Sequence, residues 1–107
     1  NRCEYCLAAH TMLGQNAGLS AEQMASAQSG KSSDAKTQAA LDFSAKLVRN
    51  RAQISKSDVQ QVRDAGFNDE EIAEILAHVA LNIFTNYTNV AFDVPIDFPK
   101  VELRKAA

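Results

Sequence analysis

The first ten residues of the chain, NRCEYCLAAH, hold three side chains that can carry redox or proton chemistry. Cys3 and Cys6 are three positions apart, and His10 follows four positions later. On an α-helix these positions fall within an arc of about 60°, because each residue turns the helix by about 100°. The stretch therefore predicts a reactive face at the start of one helix.

This spacing suits thiol chemistry. Cys3 would lie in the first helical turn, where unpaired backbone N–H groups and the helix dipole favour a thiolate, and such settings bring a thiol pKa from about 8.5 into the range of about 3.5–7.5. His10 lies one turn beyond Cys6, within reach of its sulfur directly or through one water, so it is a candidate base or proton shuttle. The Cys-x-x-Cys spacing also permits an intrahelical disulfide that can open and close.

Three interpretations of the cluster stay open on spacing alone. A redox-active dithiol is the favoured one. A zinc site would use Cys3, Cys6, His10 and His78, but three ligands on one short helix leave the fourth to come from far along the chain. The third interpretation is a pair of buried, inert cysteines that behave as small apolar residues.

Composition limits the class of protein. The 107 residues suit a single domain, 1–107, and 46% hydrophobic residues with a net charge of −2 are ordinary for a soluble protein without a nucleic-acid or membrane partner. Two cysteines are too few for a secreted disulfide scaffold, so a cytoplasmic protein is expected. The chain does not begin with Met, and we expect upstream residues in the natural gene.

The pattern of apolar residues and breakers predicts an all-helical fold. No stretch shows sustained strand-type alternation, and both prolines lie near the C-terminus. The first helix is expected to begin with Asn1 and Glu4 as a cap and to run to about Asn16, with Gly18 ending it. The other expected helices are Ser20 to Gly30, the stretch SDAKTQAALDFSAKLVRN, Ser57 to Gly66, and Asn68 to about Phe92.

The last helix carries two stripes and is followed by an arm. One stripe is apolar and is expected to be buried: Ile72, Ile75, Leu76, Val79, Ile83, Phe84 and Tyr87. The other is polar and uncharged, and it can line a site, pair across a subunit contact or face water: His78, Asn82, Thr85, Asn86 and Asn89. Two prolines break the segment DVPIDFPKVELRKAA, which predicts an extended C-terminal arm that packs on the body or on a neighbour.

The string CEYCLAAH, followed by a long helix that ends in NYTNVAFDVP, resembles the alkylhydroperoxidase D core of the carboxymuconolactone decarboxylase family. The resemblance covers essentially the whole chain and is specific mainly in its Cys-x-x-Cys-x-x-x-His helix. It implies an all-helical domain of the alkylhydroperoxidase D-like type, assembly into a trimer or hexamer, and reduction of small hydroperoxides at the expense of a dithiol or thioredoxin-like reductant. It implies no cofactor and no metal.

The resemblance also implies a role for each site residue. Cys6 would be the peroxidatic thiolate, Cys3 the resolving cysteine and His10 part of the proton relay, whereas the helix-end argument alone favours Cys3 as the thiolate. The family's relay normally begins with a Glu upstream of the first cysteine, before this chain starts, and Tyr5 stands where some members have a second His. The alternatives are a thiol–disulfide oxidoreductase and a non-catalytic, oligomeric redox sensor or scaffold.

Overall fold

The computed structural model describes residues 1–104, and in that range it contains helices and no strand, which confirms the all-helical prediction. The helices are α1 Glu4–Asn16, α2 Ala21–Ala27, α3 Ala35–Arg49, α4 Lys56–Asp64 and α5 Asp69–Ala91. The chain forms two compact units, one made of Asn1–Gln28 with the segment from Asn82 onward and the other of Ser29–Leu81. Helix α5 contributes to both units. The single-domain prediction stays a prediction.

The unit Ser29–Leu81 is built on a small apolar core. Phe43 and Leu47 of α3 are buried against Val62 of α4, because their four-residue spacing places both on one face of α3. Half-buried apolar residues pack around these three: Ile54, Val59, Phe67, Ile72, Ile75 and Val79. The first half of α5 thus packs three residues of its predicted apolar stripe, Ile72, Ile75 and Val79, against the core of α3 and α4.

The helix starts follow local capping, with one error in the prediction. Ser20 begins α2 in a capping box with Gln23, as predicted, and the Asn68 side chain accepts the Glu71 N–H at 2.8 Å at the start of α5, also as predicted. The predicted start of α4 at Ser57 is wrong, because Ser55 is the N-cap and forms the capping box with Asp58. A charged carboxylate is a stronger acceptor for the Ser55 N–H than the amide of Gln60 would be for that of Ser57.

Two helices end at glycines, as predicted. The chain turns after α1 at Gly18 (φ +92°) and after α4 at Gly66 (φ +106°). Both angles lie in the left-handed region, which glycine enters without a Cβ clash.

The other unit contains α1, α2, the end of α5 and the C-terminal arm. Gly14 lets α1 approach α2 closely, because a Cβ there would lie 3.2 Å from the Met24 Sδ atom. The arm has no regular secondary structure over residues 93–104 and packs on its own unit, where the Phe98 ring lies against Tyr5 of α1. The last three residues of the predicted arm, 105–107, lie outside the described residues.

The prediction of a continuous buried stripe on α5 is wrong at three positions. Leu76 is 49% exposed, Phe84 70% and Tyr87 62%. For Phe84 and Tyr87 the reason is a change of residue type along one side of the helix, because the positions beyond Val79 at helical spacing are Asn82, Asn86 and Asn89. In the second half of α5 these asparagines face inward and most of the large apolar residues face outward, whereas Ile83 is half-buried.

Candidate functional site

Cys3 and Cys6 form a disulfide at the start of α1, with an S–S distance of 2.06 Å and a Cα–Cα distance of 5.3 Å. Cys3 is the N-cap of the helix, and its Sγ atom accepts the Cys6 backbone N–H at 3.1 Å. The predicted cap, Asn1, is wrong, because the cross-link folds the Cys3 side chain back over the first turn, where a cap acceptor lies. The predicted intrahelical disulfide is thus confirmed in the structure.

Both sulfurs are shielded from solvent. Cys3 is 6% exposed and Cys6 7%, and the neighbouring Ala8 is 1% exposed. They also lie at the positive end of the α1 dipole, which stabilises an anion placed there. This setting combines low access to solvent with an electrostatic preference for thiolate.

Asn89 of α5 provides a donor to the pair from the other end of the chain. Its side-chain amide donates a hydrogen bond to the Cys6 Sγ atom at 3.5 Å. Three positions earlier on α5, the Asn86 side chain accepts the Asn1 amide at 2.9 Å. Two members of the polar band therefore hold the start of α1. Sequence reasoning placed Asn89 in that band but did not connect it with the cysteines, and its signal was an Asn on the inner face of a long helix, where an apolar residue is expected.

His10 lies on the surface of α1, away from the sulfur contacts. It lines an open apolar groove of about 520 Å³ between α1 and α2, together with Leu7, Thr11, Met24 and others. Within residues 1–104, the hydrogen bonds to the two sulfurs come from the Cys6 N–H and the Asn89 amide. The structure thus brings Cys3 and Cys6 together but does not join His10 to them, and the relay role of His10 stays a prediction.

Tyr5, which stands between the two cysteines, contacts the C-terminal arm. Its ring meets the Phe98 ring edge to face, with centroids 5.5 Å apart. The Asp97 carboxylate near its hydroxyl favours the protonated form and raises the Tyr5 pKa above its ordinary value of 10.0. Tyr5 therefore holds its proton at neutral pH and acts as a tether between α1 and the arm rather than as a base.

The structure shows no ligand set for the zinc interpretation in the part of the chain that it describes. No group of three or more His, Cys, Asp and Glu side chains within residues 1–104 lies close enough to hold a metal ion.

In the same range, no helix has the length and apolar character needed to cross a bilayer.

Comparison of the chain with protein-family models, with curated proteins and with solved structures found no match.

Proposed function

We propose that this chain is a thiol-dependent peroxidase of the alkylhydroperoxidase D-like type, which reduces hydroperoxides through the Cys3–Cys6 pair. The observation that carries the proposal is the disulfide at the N-terminus of α1, because it is the oxidised end of such a cycle. The hydrogen bonds from the Cys6 N–H and from Asn89 support it, since donors that reach a sulfur also stabilise a thiolate there.

The cycle has three balanced steps. The Cys6 thiolate attacks the distal peroxide oxygen, the O–O bond breaks, and the alkoxide or hydroxide takes a proton to leave as alcohol or water, which makes Cys6 a sulfenic acid. Cys3 then forms the S–S bond with Cys6 and water leaves. An external dithiol gives two electrons and two protons, becomes a disulfide itself and restores both thiols.

Cys6 is proposed as the attacking sulfur and Cys3 as the resolving one. Cys6 has the Asn89 amide as a donor from outside its own helix, whereas Cys3 is occupied as the helix cap. His10, one turn beyond Cys6, would deliver the proton to the leaving oxygen through a water or after a rotamer change. An upstream Glu would complete the relay.

The test is to mix the fully reduced protein with hydrogen peroxide and, separately, with an organic hydroperoxide, and to count free thiols with time. We expect both thiols to disappear far faster than free cysteine reacts. Cys3→Ser should still form a sulfenic acid, which dimedone traps, whereas Cys6→Ser should not. If the thiols are lost no faster than free cysteine, the peroxidase function is excluded. If Cys6→Ser forms a sulfenic acid on Cys3, then Cys3 is the attacking sulfur and Cys6 the resolving one.

A second candidate is thiol–disulfide exchange at the same pair. The lack of a hydrogen bond between His10 and either sulfur within residues 1–104 favours it, because exchange needs no proton delivery to a peroxide oxygen. Rapid oxidation by a small disulfide, together with slow oxidation by peroxide, would identify this activity. A pKa near 8.5 for both thiols and slow reaction with either oxidant would identify a redox sensor or scaffold.

We also propose that the chain works as a homo-oligomer in the cytoplasm. The outward apolar residues of α5 support self-association, since large exposed apolar patches usually mark an interaction surface. The cytoplasm supplies the thiol reductants that the third step of the cycle needs.

A further inference from the structure

The C-terminal arm holds the residues on both sides of Cys3. On the C-terminal side of Cys3 is Tyr5, whose ring packs edge to face on Phe98 and whose hydroxyl lies near the Asp97 carboxylate, which raises its pKa. These two contacts join the stretch between the cysteines to a segment more than ninety positions later, which closes a long loop at an entropic cost that the contacts must offset.

On the N-terminal side of Cys3 the arm makes a second attachment. The Arg2 Nη1 atom donates to the Arg104 backbone carbonyl at 3.1 Å, and the Arg104 Nε atom in turn donates to the Gln28 side chain at 3.1 Å, just beyond α2. The arm is thus fixed at two points, residues 97–98 and residue 104, and both points lie against the cysteine segment or beside α2.

The backbone at Arg2, which takes part in the second attachment, is strained. Arg2 has a φ of +54°, in the left-handed region that disfavours residues with a Cβ. Such a conformation persists only when its surroundings fix it, and here the Arg104 contact lies on one side and the cross-linked Cys3 on the other. The closed disulfide is therefore one of the two restraints that flank the left-handed conformation of Arg2.

We propose that the C-terminal arm, residues 93–104, is a redox-coupled strap that docks on the cysteine segment when the disulfide is closed and loosens when it opens. The docked strap limits access of an external reductant to sulfurs that are only 6% and 7% exposed. The inference concerns the regulation of the pair used in the proposed function, and it rests on that pair opening and closing.

The coupling works in both directions. The thiolate of an external dithiol attacks one sulfur, which breaks the Cys3–Cys6 bond and forms a mixed disulfide with the protein. The second thiol of the dithiol then displaces the protein sulfur, so the reductant leaves as its own intramolecular disulfide and its two protons end on the Cys3 and Cys6 thiols. If the docked strap stabilises the closed disulfide, linkage requires that closing the disulfide stabilises the docked strap by the same factor. Weakening the strap must therefore make the disulfide easier to reduce.

The experiment compares disulfide reduction in the full chain and in Phe98→Ala, Asp97→Asn and Arg2→Ala. Each oxidised protein is mixed with dithiothreitol and, separately, with reduced thioredoxin, and free thiols are alkylated and counted by mass spectrometry at successive times. We expect thioredoxin to reduce the three variants on the order of tenfold faster than the wild type, because a weakened strap leaves the open, accessible state more populated. The effect with dithiothreitol should be smaller, because a small dithiol needs less room than a protein.

Lys100→Ala is the matched control. This substitution changes the same arm at an exposed position, and within residues 1–104 the structure shows no contact between Lys100 and the cysteine segment. The rate at which its disulfide is reduced should stay within about twofold of the wild-type rate. Hydrogen exchange of the wild-type arm provides the second measurement, and amides of residues 97–104 should exchange faster after reduction. Equal reduction rates in all variants, or equal exchange in both redox states, would overturn the strap.

These measurements use no peroxide, so the two proposals can fail separately. A chain that does not react with peroxide can still show the strap, and a peroxidase with an uncoupled arm would react with peroxide at the same rate in Phe98→Ala and Lys100→Ala.

Discussion

Cys3 has two structural roles at the start of α1, since it closes the disulfide and its sulfur caps the helix. Substitution separates these roles. Cys3→Ser and Cys3→Ala both lose the cross-link, but serine is a strong N-cap and alanine is not. We expect Cys3→Ala to be less stable than Cys3→Ser by about 1 kcal/mol in urea unfolding. Equal stability of the two variants would show that the side chain at position 3 does not act as the cap of α1.

The second prediction at the scale of single residues concerns Asn89. A hydrogen bond to a charged group contributes more than one to a neutral group, so the Asn89 amide should favour the Cys6 thiolate over the thiol. In a Cys3→Ser background, Asn89→Leu should raise the Cys6 pKa by about one unit. The measurement is the pH dependence of alkylation by iodoacetamide.

Asn86→Leu is the control for this prediction, because it removes an amide from the same face of α5 that bonds Asn1 and not a sulfur. Its Cys6 pKa should match that of the parent. A pKa that rises equally in both variants would assign the effect to a general change in the packing of α5.

The sequence predicted the residues of the site that are close together in the chain. The Cys-x-x-Cys pair could be found because its disulfide depends on one helical turn, whose geometry is local. Asn89 could not be matched to Cys6 in this way, since a contact across 83 positions leaves no periodic trace in either segment. The cap at Cys3 was missed because the residues known to favour N-cap positions accept the backbone N–H through an oxygen atom, whereas here a cross-linked sulfur is the acceptor.

At the scale of the elements, the start of α4 is stabilised by a carboxylate. Asp58 pairs with Lys46 of α3 and accepts hydrogen bonds from the Ser55 backbone and hydroxyl, and these contacts lower its pKa from 3.8 to about 2. Because the folded pKa is below the unfolded one, this contribution to stability is complete above about pH 4 and is lost as the pH falls through the folded pKa near 2.

The corresponding prediction concerns acid unfolding. Between about pH 4 and pH 2 the free energy of unfolding should fall less steeply in Asp58→Asn than in the wild type, because the variant lacks the carboxyl that takes up the proton. Urea titrations at a series of pH values measure it. Asp64→Asn controls for the loss of one acid on α4, and a slope that changes equally in both variants would contradict the assignment to Asp58.

The elements also show where pattern reasoning fails. The starts of α2 and α5 were predicted because their caps lie within three residues of each other. The start of α4 was misplaced because Ser55 and Ser57 each have an acceptor three positions on, and the contact with Lys46 of α3, which favours Asp58, is not visible in the local sequence. The inner face of α5 was misjudged past Val79, since periodicity identifies a stripe but not the surface that covers it.

At the scale of the whole molecule, α5 presents an uncharged apolar surface. No Lys, Arg, Asp or Glu stands between Glu74 and Asp93 in the sequence. In the second half of this stretch the large apolar side chains are more than half exposed: Phe84, Tyr87, Val90 and Phe92. The inward polar band bonds to the start of α1, so the outward residues are not covered by the contacts that hold the site. A second copy of the chain offers a surface of the same apolar, uncharged kind.

We therefore expect the wild-type chain to self-associate and a charged variant to be monomeric. Phe84→Asp with Tyr87→Asp places two carboxylates on the outer face, where burial without a partner weakens association by roughly 3 kcal/mol or more, about a hundredfold. Sedimentation velocity across a concentration series measures the mass, and Gln53→Glu adds charge at an exposed position outside α5 as the control. Because neither substitution touches the cysteines, the charged variant should keep its Cys3–Cys6 disulfide. A wild-type chain that sediments as a monomer at every concentration would remove the homo-oligomer from the proposed function and leave the chemistry of the pair to be judged alone.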